Sequence, residues 1–299
     1  MPLLSSVSLA ACARRVPGPD YDRRAVRVGM VHLGVGGFHR SHQAVYHDEL
    51  LRQGELDWGI CGVGVLPGDR WMRDALQAQD GLYTLLVKHP DGTIEPRIVG
   101  ALVERLLAPE DPDGVIERLA APATRVVSMT ITEGGYNVDE ATGAFVASHP
   151  GVLHDLSHPE APRTVFGLVV EALRRRRERG VPPPIVLSCD NLVDNGGVAR
   201  HAFGAFAGLR DPELGAWVQD AVPFPSSVVD RITPATAEAD RAWLAQTHGI
   251  EDRVPVVCEP FTQWVLEDPG GSTRPPWEAA GAVVLGDVRP HELMKLRLL

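Results

Sequence analysis

Short apolar runs alternate along this chain with longer segments whose apolar positions follow the period of a helix. The first run, residues 26–33, is followed by a glycine-rich stretch, residues 34–37, and then by a polar segment that keeps helical spacing to Gln53. A second apolar run covers residues 58–65. Short apolar runs bounded by glycines are typical of buried strands. The pattern therefore predicts a strand, a glycine turn, a helix and a second strand at the start of the chain.

The same alternation returns in the middle of the chain. Residues 125–131 and 185–188 are short, apolar and rich in β-branched side chains, and residues 165–179 between them have helical spacing. Strands that alternate with helices form mainly parallel sheets with helices on both faces. We therefore predict an α/β fold with a doubly wound, mainly parallel sheet.

Two features interrupt this alternation. Residues 84–87 and 95–99 flank the turn sequence His-Pro-Asp-Gly-Thr at 89–93, which predicts an antiparallel hairpin inserted into the first half. Residues 269–276, rich in proline and glycine, are the clearest predicted linker. After them, residues 287–290 predict a helix cap and first turn, and residues 292–299 continue as a helix without a stop signal.

Composition excludes several classes of protein. The chain has 299 residues, of which 44% are hydrophobic and 23% charged, as in soluble globular proteins. A net charge of −10 argues against a general nucleic-acid binder or an anionic-membrane binder. No run of about 18 uninterrupted apolar residues predicts a membrane span. The one basic run, Arg174 to Arg177, predicts an exposed helix end.

The four cysteines lie far apart, at positions 12, 61, 189 and 258. They form no Cys-x-x-Cys pair, so neither a zinc site nor a disulfide framework is indicated. We expect a reducing, cytoplasmic location.

Lysine is scarce in this chain. Of the 29 basic residues, Lys88 and Lys295 are the only lysines. Lysine can be tuned to exchange a proton near neutral pH, whereas arginine stays protonated. Glu292 precedes Lys295 by three positions, which places both on one face of a helix.

The strongest local motif is the glycine turn Gly34-x-Gly36-x-x-His39 after the first strand. Such a turn lets a pyrophosphate approach backbone N–H groups, although the third glycine of the usual dinucleotide motif is absent and a plain structural turn stays an alternative. Asp69 is the nearest carboxylate beyond the second strand and is the candidate for binding the ribose. Arg70 beside it leaves the choice between NAD and NADP open.

Five motifs together resemble the long-chain mannitol dehydrogenase family of polyol dehydrogenases and sugar-acid reductases. They follow the order of that family: GVGGFHRSHQ at 34–43, TITEGGY at 130–136, LSCDN at 187–191, FPSSVVDRITP at 224–234 and VCEPFTQW at 257–264. The resemblance spans nearly the whole chain from about Tyr21 and implies a Rossmann-like domain.

The resemblance also implies an activity. Family members interconvert a polyol and a ketose by hydride transfer to a nicotinamide cofactor, without a catalytic metal, and mannitol with fructose and NAD is the pair that we expect here. A fructuronate or tagaturonate reductase is the alternative within the family.

The family's functional residues can be carried over by position. Lys295 matches the general acid–base, Asn191 a residue that polarises the reacting oxygen, and Glu292 a proton relay. Asp230 matches a contact to a substrate hydroxyl. The expected cofactor-binding residues are Gly34, Gly36, Gly37, Phe38, Asp69 and Glu133.

Simpler interpretations of these residues stay open on the residues alone. Asn191 follows an aspartate in ordinary turn chemistry, and Asp230 suits an ion pair with Arg231 or a helix cap. Three nearby histidines at 39, 42 and 47 invite a metal site, but their spacing is not that of a helical zinc pair. We expect them to be helix-surface histidines.

One departure from the family limits the prediction. Members continue past the position of Leu299 with an asparagine, a histidine and a helical substrate domain. We therefore expect a truncated protein: a dinucleotide-binding domain at 1–285, with an N-terminal arm at 1–20, and the first helix of the next domain at 286–299. A separate chain that supplies the missing domain is the expected macromolecular partner, and a nucleotide-binding remnant without turnover is the alternative function.

Overall fold

The structure, a computed structural model, describes residues 1–139, 141–270 and 274–298, with side chains as far as Lys295 in the last helix. Its helices are α1 (Leu9–Cys12), α2 (Gly37–Ser41), α3 (Gln43–Arg52), α4 (Arg70–Ala78), α5 (Pro112–Ala120), α6 (Pro150–Ser157), α7 (Val165–Glu178), α8 (Asn195–Arg210), α9 (Pro212–Ala221), α10 (Glu238–His248) and α11 (Arg289–Leu298). Its strands are β1 (Val28–Leu33), β2 (Gly59–Gly64), β3 (Tyr83–Lys88), β4 (Ile94–Val99), β5 (Leu102–Leu107), β6 (Val126–Met129), β7 (Ile185–Ser188), β8 (Ser227–Asp230), β9 (Val256–Cys258), β10 (Gln263–Glu267) and β11 (Val283–Leu285).

The central sheet has five strands in the order β5-β2-β1-β6-β7, and every neighbouring pair is parallel. Met30 and Val31 are adjacent on β1 but belong to two different apolar clusters, one on each face of the sheet. Helices α3 and α4 cover one face, and α5, α7 and α8 cover the other. The predicted doubly wound α/β fold is therefore confirmed.

The strand order reverses between β1 and β6. From β1 the chain moves outward through β2 to β5, and it then returns to the other side of β1 with β6 and β7. Open sheets of this kind bind ligands at the carboxyl ends of the strands where the order reverses. This point lies beside the glycine turn that follows β1.

Predicted and observed elements agree within two residues for β1, β2, β6, β7 and α7. The segment after the glycine turn differs, because the single predicted helix is divided at His42, whose φ of −118° and ψ of −93° are not helical. The predicted hairpin is present as β3 and β4, and β9 adds to it in parallel to form a separate three-stranded sheet.

The predicted linker at 269–276 connects parts of one packed unit, and residues 271–273 within it lie outside the described residues. Directly after it, the indole of Trp277 is fully buried and its ring lies 5.3 Å from that of Trp264. Strand β11 then pairs with β10, which also pairs with β8 in a third sheet. Large apolar side chains on both sides of the linker therefore share one core, and the predicted domain boundary at 285–286 stays a prediction.

The arginine run in α7 is also less exposed than predicted. Arg176 is 3% exposed and donates hydrogen bonds to the carbonyl oxygens of Pro182, Leu119, Ala121 and Thr124. Burial lowers the pKa of Arg176 to about 10. Its guanidinium joins α7 to the loops before β6 and β7, because carbonyl oxygens there would otherwise be buried without donors.

The four cysteine side chains are buried and unpaired. Among the described residues, no helix has both the length and the apolar character needed to cross a membrane.

Candidate functional site

A cleft of about 690 Å³ opens at the carboxyl ends of β1, β6, β7 and β8. Its lining includes Gly36, Gly37, Thr130, Asn191, Asp230 and Lys295. The segments after β1, β6 and β7 meet here because parallel strands end at the same edge of a sheet. β8 of the third sheet and helix α11 add Asp230 and Lys295.

The glycine turn forms one side of this cleft. Gly34 has a φ of +94°, and a Cβ at this position would lie 2.3 Å from the carbonyl oxygen of Thr130, so only glycine fits without strain. Gly36 differs, since a Cβ there would meet no atom within 4 Å. The backbone at Gly36 therefore faces open space in the cleft, as required for close approach of a phosphate group. Gly37 and Phe38 follow it on α2 and line the same cleft.

A second space of about 510 Å³ adjoins the first and shares Gly36 and Thr130 with it. Asp69 lines this second space, and its Oδ2 accepts hydrogen bonds from the backbone N–H groups of Val65 and Leu66 at 2.8 and 2.9 Å. Two backbone donors thus hold the carboxylate at the end of β2. Its neighbour Arg70 is engaged in an ion pair with Glu110.

Glu133 also lines the larger cleft. It is exposed at the start of a short 3-10 turn, Glu133–Tyr136, that follows β6. The cofactor-binding residues expected from the sequence therefore all line one or both of these connected spaces.

Lys295 and Asn191 are in direct contact. The Lys295 Nζ donates to Asn191 Oδ1 at 2.7 Å and to the carbonyl oxygen of Val229 at 2.7 Å. Because an ammonium group only donates, this contact fixes the orientation of the Asn191 amide. The amide NH₂ group of Asn191 is then the part that can donate to an oxygen atom in the cleft.

Glu292 lies one helical turn before Lys295 and is 8% exposed. Its Oε1 accepts a hydrogen bond from the backbone N–H of Asp194 at 2.9 Å. A small cavity of about 70 Å³ behind the main cleft is lined by both Glu292 and Lys295, together with Asn191. Glu292 and Lys295, which both lie on α11, therefore border one small space.

Asp230 is the last residue of β8 and is half-buried at the cleft. Its neighbour Arg231 donates to the carbonyl oxygens of Glu259 and Ser41. The guanidinium is thus directed at backbone oxygens, which removes the basis for the ion-pair alternative. The adjacent helix α10 begins after Ala237, so Asp230 is not its cap.

The expectation that the three histidines lie on the helix surface is wrong. His39, His42 and His47 are all fully buried, since α3 packs against β2 of the central sheet and α2 packs against β9. His42 Nε2 makes a hydrogen bond to the carbonyl oxygen of Gln263, and His47 Nε2 accepts one from the Trp277 indole.

Burial lowers the pKa of each of these rings, to about 3 for His42 and about 4 for His47. They are therefore neutral at pH 7. Within the described part of the chain, no group of three or more His, Cys, Asp or Glu side chains has the geometry of a metal site.

Sequence reasoning missed a buried polar cluster beside Asn191. The Asp190 carboxylate, 7% exposed, accepts hydrogen bonds from the N–H groups of Ile131 and Thr132 and from the Tyr136 hydroxyl. The Tyr136 hydroxyl also contacts Ser188 Oγ at 2.6 Å. All five of these residues lie in two of the quoted motifs, but an Asp-Asn pair is so common in turns that the sequence alone did not single out Asp190.

Comparison with known proteins agrees with this architecture. The sequence profile described as "Mannitol dehydrogenase Rossmann domain" matches residues 28–279. A mannitol 2-dehydrogenase from Cereibacter sphaeroides is 50% identical over 287 residues, which cover 96% of this chain and 60% of that protein. A polyol:NADP oxidoreductase from Gluconobacter oxydans is 46% identical over 299 residues, covering 99% of this chain and 61% of its own length.

Among solved structures, the chain is similar to Pseudomonas fluorescens mannitol 2-dehydrogenase, determined as a ternary complex with NAD and D-mannitol. The TM-score is 0.95 and the identity 48%, over 99% of this chain and 60% of that one. This chain therefore spans about 60% of the length of the relatives that it matches. The profile match covers most of the chain, and the similarity extends through both the motifs and the fold. The chain therefore belongs to the mannitol dehydrogenase family.

Proposed function

We propose that the chain is the catalytic domain of a nicotinamide-dependent polyol dehydrogenase that interconverts a polyol and a ketose, with mannitol and fructose as the expected pair. The observation that carries this proposal is the contact between Lys295 and Asn191 at the cleft beside the glycine turn. This arrangement combines a proton acceptor, a neutral hydrogen-bond donor and space for a dinucleotide.

The residues present fit a dinucleotide. The open backbone at Gly36 leaves room for a pyrophosphate, and the connected second space ends at the Asp69 carboxylate, where a ribose hydroxyl can bind. When bound, the nicotinamide supplies the hydride acceptor for alcohol oxidation. These contacts assign Gly34, Gly36, Gly37, Phe38, Asp69 and Glu133 to cofactor binding in the proposal.

Lys295 is the proposed general base. Its Nζ has three hydrogen-bonding positions, and two of them are directed at Asn191 and Val229. The third remains for a hydroxyl in the cleft, from which an unprotonated amine can take a proton as the alcohol is oxidised.

Asn191 is proposed to stabilise the oxygen that develops negative charge. With its Oδ1 bound to Lys295, its amide nitrogen can donate to this oxygen. A neutral donor stabilises the charge without forming an ion pair that would trap it.

Two carboxylates complete the proposed site. Glu292 shares the small cavity with Lys295 and can pass protons between the lysine and water. Asp230 can accept a hydrogen bond from a further hydroxyl of the polyol, because its side chain lines the cleft.

NAD is the proposed cofactor, although one relative is named as an NADP enzyme. A fixed carboxylate at Asp69 repels the 2′-phosphate of NADP. Arg70 already pairs with Glu110, so the nearest arginine does not offset this repulsion. A cytoplasmic location belongs to the same proposal and is supported by the four unpaired, buried thiols.

The test is an assay of the purified chain for mannitol-dependent formation of NADH, with NADH binding measured in parallel by fluorescence titration. The proposal predicts both binding and turnover. Binding without turnover supports a nucleotide-binding function alone, and turnover with fructuronate or tagaturonate instead of mannitol or fructose supports the sugar-acid reductase. Absence of NADH binding contradicts all three functions: the polyol dehydrogenase, the sugar-acid reductase and nucleotide binding alone.

A further inference from the structure

The Asp190 carboxylate connects two walls of the cleft. Its Oδ1 accepts a hydrogen bond from Thr132 N at 2.8 Å, and its Oδ2 accepts one from Ile131 N at 3.1 Å and one from the Tyr136 hydroxyl at 2.8 Å. One buried carboxylate therefore binds two consecutive backbone N–H groups in the loop that follows β6.

This loop is held in an unfavourable conformation. Thr132 has a φ of +65° and a ψ of 165°, a region that is accessible to glycine and costly for a β-branched residue. Such a conformation persists only where its surroundings impose it. The two hydrogen bonds to Asp190 hold the backbone that leads into Thr132, because they fix the Thr130–Ile131 and Ile131–Thr132 peptides.

The strained position forms part of the cleft. Thr132, Glu133 and Gly134 line the larger space together with Gly36 and Gly37 of the glycine turn. Relaxation of Thr132 to an ordinary backbone conformation would redirect the residues that follow it. The shape of this wall therefore depends on the carboxylate.

The other side of Asp190 is anchored to the third sheet. Its carbonyl oxygen accepts a hydrogen bond from Asn195 Nδ2, and the Asn195 amide also bonds both the N–H and the carbonyl oxygen of Ser227. The next residue, Asn191, contacts Lys295. Residues 190 and 191 thus connect the cleft wall that contains Thr132 to the hydrogen-bonded residues Asn191 and Lys295.

We propose that Asp190 is a positioning residue that holds the strained Ile131–Thr132 peptide and thereby sets the cofactor-facing wall of the cleft against Asn191 and Lys295. The cofactor-facing role of this wall rests on the proposed function, whereas the positioning of residues 131 and 132 by Asp190 does not. Each side-chain oxygen of Asp190 accepts a hydrogen bond from at least one donor of the protein. This arrangement fits a residue that holds the loop in place rather than one that contacts the substrate.

The test compares Asp190→Asn with the unmodified chain by hydrogen–deuterium exchange of the peptide that covers residues 131–136. The asparagine keeps the shape but replaces one acceptor oxygen with a donor. We expect amide exchange in 131–136 to rise by roughly tenfold or more, since hydrogen bonds to a charged acceptor are among the stronger ones. Exchange in β7 should stay unchanged.

The second measurement is NADH binding. Asp190→Asn should raise the dissociation constant roughly tenfold, and Thr132→Gly, which relieves the strain, should make the Asp190→Asn effect at least threefold smaller in the double variant. If Asp190→Asn alone does not fold, folding of the double variant with Thr132→Gly would show the same energetic coupling between positions 190 and 132. Additive effects or a failure of that rescue would overturn the proposal.

Asp252→Asn is the matched control. Asp252 is also a buried carboxylate that accepts two backbone N–H groups, from Thr84 and Val254, but it lies outside the lining of both cleft spaces. It should lower stability without changing exchange in 131–136 or NADH affinity. Unchanged exchange in Asp190→Asn overturns the positioning role, whereas a chain that binds no NADH but shows the exchange effect contradicts only the proposed function.

Discussion

The ammonium group of Lys295 donates to the amide oxygen of Asn191, 104 positions earlier in the chain, at 2.7 Å. This contact places the end of α11 against the loop after β7. Glu292, one turn earlier on α11, bonds the backbone of Asp194 in the same loop. Two contacts from one face of the helix therefore set the position of the Nζ atom.

The first prediction concerns the amide of Asn191. Asn191→Ala should lower kcat for mannitol oxidation by about 100-fold or more, because a donor to the developing oxyanion is lost. NADH affinity should change less than threefold. Steady-state kinetics and NADH titration measure the two effects, and an equal loss in both would indicate a collapsed cleft instead.

The two glycines of the turn should respond differently to alanine. Gly34→Ala should cost about 2 kcal/mol or more of unfolding free energy, because the Cβ would meet the Thr130 carbonyl oxygen and φ is positive. Gly36→Ala should change stability by less than about 0.5 kcal/mol, since its φ of −88° suits alanine and the space is open.

NADH affinity completes this comparison. The added methyl group of Gly36→Ala should raise the NADH dissociation constant by roughly tenfold, because it fills the space proposed for the pyrophosphate. Urea unfolding and fluorescence titration provide the two values. Wild-type affinity in Gly36→Ala would place the pyrophosphate elsewhere.

Asp69 should determine the choice of cofactor. Asp69→Asn keeps an oxygen for the N–H groups of Val65 and Leu66 but removes the negative charge. The ratio of NADPH to NADH affinity should rise by at least roughly tenfold, because repulsion of the 2′-phosphate is lost. Titration with both dinucleotides measures this ratio, and an unchanged ratio would exclude Asp69 from the ribose end.

Stability should fall steeply at mildly acidic pH. Burial lowers the pKa of His32 and His42 to about 3 and that of His47 to about 4. Because the folded-state pKa values lie below the ordinary value, these rings contribute stability above pH ~6.5 that is lost as pH falls towards 4. Each ring should contribute about 1.4 kcal/mol per pH unit to the slope in that window.

Urea unfolding at a series of pH values between about 7 and 5 tests this slope. His47→Gln, which retains a donor and an acceptor, should reduce it by about 1.4 kcal/mol per pH unit. His201→Gln replaces an exposed histidine and should keep the wild-type slope. Equal slopes in the wild type and His47→Gln would contradict the assignment of a neutral, buried ring.

Much of the central sheet could be predicted from the sequence, because strands buried on both faces leave continuous apolar runs. The third sheet could not, since β8 has only four residues and β11 only three, and both depend on pairing with β10, which is distant in the sequence. β9 packs against α2, and Gln263 of β10 bonds His42 between α2 and α3, which explains why histidines expected on a helix surface are buried.

The candidate site divides in the same way. The glycine turn follows from local backbone requirements. The contact between Lys295 and Asn191 depends on tertiary structure, and family resemblance predicted only the separate role of each residue. The hydrogen bonds from Ile131 and Thr132 to Asp190 were missed, because no local pattern marks a carboxylate that binds backbone groups 58 and 59 positions away.

The most direct test of the central claim is chemical rescue of Lys295→Ala in mannitol-dependent NADH formation. Removal of the proton acceptor should lower kcat by about 100-fold to 10,000-fold, and added methylamine should restore part of the rate in proportion to its free-base concentration. Lys88→Ala, which removes the other lysine and its ion pair with Asp240, should keep wild-type kcat and show no response to the amine. Full activity of Lys295→Ala, or an inactive Lys295→Ala variant that methylamine does not rescue, would contradict the role of Lys295 as the base.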